Sequence, residues 1–96
     1  MSIKCSAVMF TEQGEIFPMM ITGRYHTDCY ETMDFFGIDP SSLGSLTEGF
    51  LTDGNVFLDR YVAKYEAIRC NQVPETLEKA ALQSTDIWPI DSGKEV

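Results

Sequence analysis

Arg24, His26, Phe50, Asp59 and Arg60 are the residues whose types and spacing suit chemistry. The two guanidiniums offer forked donors to a phosphate or carboxylate. The imidazole adds a donor or an acceptor. A phenylalanine face can stack on a nucleobase. Asp59 stands where a helix begins, and free backbone N–H groups there also favour an anion. Arg24 and His26 leave one strand-like stretch and Arg60 leaves another, so the basic groups sit at strand exits. Together the five describe non-covalent capture of an anion. Four of them also have a structural reading: Arg24 paired on the surface, His26 as a loop hydrogen-bonder, Phe50 in the core, Asp59 as a helix cap.

Catalysis finds little support. There is no nucleophile elbow, no Walker loop and no HExxH. Cys29 follows His26 by three residues, which is weak evidence for a dyad. Asp28 and Glu31 suit a helix N-terminus better than an acid–base pair. Cys5, Cys29 and Cys70 are odd in number and widely spaced, and are expected to be free thiols. No cofactor and no metal site is expected.

The elements that position these residues follow from patterning. Glu48 to Arg60 reads strand, tight turn, strand, helix start. Asp53-Gly54 predicts a primed hairpin turn with positive φ at its centre. Asp59 predicts an N-cap and Arg60 opens the helix. Upstream, residues 3–10 alternate as a strand and 15–22 return as its partner. Pro18 makes that partner an edge strand or a bulged one. Met19 and Met20 are read as core fillers. Thr27 predicts an N-cap for a helix over 27–36, ended by Gly37. Residues 39–45 read as a loop. A second helix is expected over 59–70 with Asn71 as its left-handed terminator. Two more helical turns are expected from Glu75 to Leu82, then a tail docked by Ile87 and Trp88. The fold class is α+β: a small antiparallel sheet of two hairpins covered by two main helices, in β-β-α-β-β-α order.

The chain has 96 residues, read as one domain over 1–90 with a frayed tail over 91–96. Fifteen acidic against seven basic residues give a net charge of −8. That argues against binding a nucleic-acid backbone and suits a basic patch on a partner. The longest apolar run, Ile16 to Ile21, is far too short to span a membrane. No signal peptide is read, so an intracellular setting is expected. A core this small, with an edge strand to manage, predicts at least a homodimer.

The stations Gly23-Arg24-Tyr25-His26-Thr27-Asp28-Cys29, Glu48-Gly49-Phe50-Leu51-Thr52, Phe57-Leu58-Asp59-Arg60, Asn71-Gln72-Val73 and Ser84-Thr85-Asp86-Ile87-Trp88 carry a resemblance. From about residue 3 to 88 the chain resembles a family of small phage proteins that includes anti-Thoeris sponges. The resemblance implies a protein of the host cytoplasm that sequesters a cyclic ADP-ribose-type or other cyclic nucleotide signal without cleaving it. It implies oligomers with sites between subunits. It also implies Arg24 and Arg60 as phosphate or ribose contacts and Phe50 as the stacking residue. Glu48 stands where that family has Gln, Tyr61-Val62 replace an acidic pair, and Asn71 replaces Gly. Those departures point to a different ligand or to a protein target. The alternative is therefore a phage inhibitor that binds a host defence protein directly, its acidic surface occupying a basic channel. A host-takeover factor unrelated to defence is a third reading.

Overall fold

The computed structural model describes residues 1–89. Four strands form one antiparallel sheet: β1 (Ile3–Glu12), β2 (Met19–Gly23), β3 (Leu43–Thr52) and β4 (Phe57–Asp59), in spatial order β2-β1-β3-β4. Two ten-residue helices, α1 (His26–Phe35) and α2 (Arg60–Arg69), pack on it. A single turn of helix, α3 (Ser84–Ile87), follows. The architecture is α+β with the expected β-β-α-β-β-α order.

Both main helices cover one face. Ser6, Val8 and Phe10 alternate onto it, with Phe50 opposite Ser6 and Ile21 opposite Val8. Val8 and Phe10 pack with Cys29 and Met33 of α1. Phe50 packs with Ala63 and Ala67 of α2, with Val73 and Leu82, and with Leu58, Ile87 and Trp88 at its margin. The expected anchors Ile87 and Trp88 thus do dock.

Asp59 caps α2 as its spacing predicts: Oδ1 accepts from the N–H groups of Tyr61 (3.0 Å) and Val62 (2.9 Å). Gly37 and Asn71 take positive φ (73° and 60°) behind the two helices, as expected. The start of α1 differs. Tyr25, not Thr27, is the N-cap, and Asp28 Oδ2 takes the Tyr25 N–H at 2.9 Å.

Other expectations are corrected. The turn after β3 is not a primed Asp53-Gly54 turn. Asn55 carries the positive φ (63°), Asn55 N–H reaches Thr52 O, and Thr52 N–H reaches Val56 O. This is the three-residue hairpin loop whose left-handed residue comes last. β3 starts at Leu43 rather than 48, so the 39–45 loop shrinks to a 3-10 turn, Pro40–Ser42, capped by Asp39. β2 starts at Met19 rather than 15, which leaves Pro18 outside the ladder it cannot serve. β2 is an edge strand, and Met19 and Met20 are 44% and 40% exposed rather than core fillers. Residues 75–82 form no helix. Leu82 N–H is instead drawn to Arg60 O at 2.9 Å. The expected 91–96 tail lies outside the described residues.

Two long-range ties complete the frame. Gln72 pairs its side-chain amide with the Ile3 backbone, N–H to Oε1 at 2.7 Å and Nε2 to O at 2.9 Å. Gly49 admits β4 and Phe57: an added Cβ would sit 2.2 Å from Leu58 O and 2.6 Å from Phe57 Cζ. Cys5, Cys29 and Cys70 are free. No helix among the described residues is long and apolar enough to cross a membrane.

Candidate functional site

Two clefts hold most of the residues singled out in the sequence. The first, about 460 Å³, is lined by Leu46, Thr47, Glu48, Asp59, Arg60 and Tyr61, where β3 and the start of α2 diverge. Arg60 is placed there by the β4–α2 junction and is only partly exposed. Its Nε donates to Leu82 O (3.0 Å) and its Nη1 to Glu48 Oε1 (3.2 Å). Glu48 Oε2 accepts from the Tyr30 hydroxyl at 2.6 Å. Burial, aided by this bond to Glu48, pushes the Tyr30 phenol well above its ordinary value. Tyr30 therefore stays a neutral donor. The carboxylate of Glu48 neutralises the one cation lining the cleft.

The second cleft, about 470 Å³, lies between the first turn of α1 and that of α3. His26 sits at its wall. Nε2 faces Gly49 O at 2.8 Å and Nδ1 faces Ser84 Oγ at 2.9 Å. Ser84 Oγ also lies 2.5 Å from Ser6 Oγ, and Ser6 Oγ donates to Arg24 O at 2.9 Å. A carbonyl only accepts, so Nε2 must carry a proton for Gly49. The run from Gly49 O to Arg24 O has four contacts. The Nε2 proton and the two hydroxyl protons donate along it.

This network binds the β2–α1 junction to β1, β3 and α3. It also occupies the Ser84 hydroxyl. Ser84 is 6% exposed, and its oxygen is shared among His26, Ser6 and the His26 backbone N–H (3.3 Å). Burial and the neighbouring Asp28 push the Cys29 thiol up to about 11, so the residue three after His26 carries no thiolate at neutral pH. Among the described residues, no three His, Cys, Asp or Glu side chains gather as metal ligands.

The five singled-out residues are thus divided. Asp59 and Arg60 share the first cleft. His26 and Phe50 meet beside the second, ring centroids 5.1 Å apart and edge-on at 77°. Phe50 is 0% exposed, so its ring is a core member and offers no face for stacking in this chain. Arg24 lines neither cleft; its guanidinium lies over the Tyr25 ring at 6.0 Å. The bonds that Tyr30, Ser6 and Ser84 make are not legible in the sequence, because they join residues 18 to 78 positions apart.

One surface feature stands apart from both networks. Tyr61, Val62 and Tyr65 lie at helical spacing on the outer side of α2, 62%, 50% and 70% exposed. Lys64 Nζ stands 5.9 Å from the Tyr65 ring.

A family model described as phage T4 y16D protein matches residues 2–88. Comparisons with curated proteins and with solved structures return no match.

Proposed function

The chain belongs to the phage T4 y16D protein family, and from that membership we propose that it is a non-catalytic phage factor that binds a host protein, with a defence component as the target class. The observation that carries this reading is the Tyr61–Val62–Tyr65 face of α2, exposed on a helix whose other side is core. Tyrosines of this kind supply large, rigid contact area and are favoured at interface hot spots. A net charge of −8 steers such a face toward a basic partner. The setting in this reading is the host cytoplasm.

A second reading, the nucleotide sponge, is favoured by the 460 Å³ cleft beside Arg60 and Tyr61, a size that suits a small ligand. It requires Glu48 to yield Arg60 to the ligand, and it requires another subunit to provide the stacking face that buried Phe50 does not. One experiment separates the two. The tagged protein is recovered from infected-host lysate, alongside Tyr61→Ala/Tyr65→Ala, and small molecules released by heat are measured in parallel. A host protein captured by the unaltered chain and lost from the variant supports the docking reading. A released cyclic nucleotide with no captured protein overturns it in favour of the sponge.

A further inference from the structure

On the reading that the chain binds a host protein, we propose that the C-terminal end of α1, with the β1–β2 connection beside it, is a second docking surface, separate from the α2 face, and that its occupant is an arginine-bearing apolar segment of the partner. Phe35 and Phe36 close α1 with their rings 5.3 Å apart and edge-on, 83% and 66% exposed. Ile16 (81%) and Phe17 (74%) stand exposed in the β1–β2 connection, which leaves the sheet beyond the Phe10–Met19 pair. Phe36 shares a cleft of about 380 Å³ with Glu12, Gln13, Ile38 and Asp39, so the helix end and the start of that connection lie side by side. Large apolar side chains gathered in the open mark a contact surface.

Charge selects the occupant. Arg24 is the only lysine or arginine between Cys5 and Asp59. The last turn of α1 contains Asp34 and no basic residue, although a helix C-terminus favours a cation. Among the described residues no ion pair engages Glu12, Asp34 or Asp39. The Ser41 hydroxyl (2.8 Å) and N–H (3.0 Å) both donate to Asp39 Oδ1 and hold that carboxyl below its ordinary value, so it stays charged. A guanidinium fits these surroundings in two ways: its fork bonds carboxylates, and its plane lies on phenyl rings. Apolar neighbours on the same segment cover the remaining ring surface. Nucleic acid and anionic lipid are repelled here, and a second copy related by a two-fold would set these carboxylates against themselves. The helix α2, by contrast, carries Arg60, Lys64 and Arg69. The negative field that draws a basic partner therefore arises away from its tyrosines.

The test is an NMR titration of the full chain, labelled with heavy nitrogen, with short synthetic peptides: one alternating arginine and leucine, one arginine and serine, one glutamate and leucine. The arginine–leucine peptide should shift the amides of residues 12–17 and 33–39 and bind more weakly as salt rises. Phe35→Ser/Phe36→Ser and, separately, Glu12→Gln/Asp34→Asn should each weaken it about tenfold or more. All four positions are exposed, so circular dichroism should not change. Tyr61→Ala/Tyr65→Ala should leave the peptide affinity as it was. The peptides need no host, so failure here is distinct from failure of the lysate capture. Absent shifts, shifts centred on α2, or equal binding of the arginine–serine peptide overturn the proposal. So does a host protein whose capture is undiminished by Phe35→Ser/Phe36→Ser.

Discussion

The guanidinium of Arg60 is held by the carboxylate of Glu48, Nη1 to Oε1 at 3.2 Å. A ligand anion must therefore compete with a built-in one. Glu48→Gln removes that competitor and should tighten any binding of cyclic ADP-ribose isomers about tenfold in calorimetry, about 1.4 kcal/mol. The pair is about a third exposed, so its loss should lower stability by less than about 1 kcal/mol. No heat from either form would end the sponge reading.

Ser84→Ala should destabilise the protein although it deletes one atom. It strips Nδ1 of His26 and the hydroxyl of Ser6 of a partner inside the core. Leaving such groups unmade costs roughly 1–3 kcal/mol. In a chain of this length each kcal/mol lowers the melting temperature by about 4–8 °C. A melting temperature equal to that of the unaltered chain would show the network to be dispensable.

Phe50→Ala separates a core ring from a stacking one. Its full burial predicts a loss of about 3–5 kcal/mol in urea unfolding. A variant that unfolds at the unaltered midpoint and loses only ligand affinity would contradict the burial.

Much of this frame is legible in the sequence because its signals are local. Asp59 caps, and Gly37 and Asn71 terminate, through bonds to residues within a few positions of themselves. The turn departs from the primed form because Asp-Gly is a primed-turn signal only if the loop has two residues, and Asn55 makes it three. Residues 43–45 read as loop because Gly44 and Ser45 are poor strand formers. Pairing with the end of β1, Leu46 opposite Phe10, overrides them. The candidate site was least legible. Arg60 opens α2 as expected, but its guanidinium is paired with Glu48, twelve residues away on β3. Phe50 and His26 look like ligand groups one at a time and like core only when Ser84 and Ala67 are brought to them.

Acid should weaken the fold through Glu66. The Arg69 guanidinium, and then the terminal ammonium, hold its carboxyl down at about 2. A depressed folded-state value means stability that is full above the ordinary carboxylate range and is lost as pH falls toward 2. Glu66→Gln should flatten that part of the profile of stability against pH and leave the neutral range little changed. Equal acid slopes in the two forms would refute the assignment.

β1 leaves the ribosome before the other three strands and is seated in full only late. Its opening residue, Ile3, is clamped by Gln72, 69 positions downstream. At about 5–20 residues per second, roughly 3–14 s of synthesis separate the two. Until then the apolar stretch from Ile3 to Phe10 has neither its clamp nor, for much of the interval, β3. Every nascent copy thus passes through an interval of seconds in which chaperones and proteases compete for the strand that becomes the centre of the sheet.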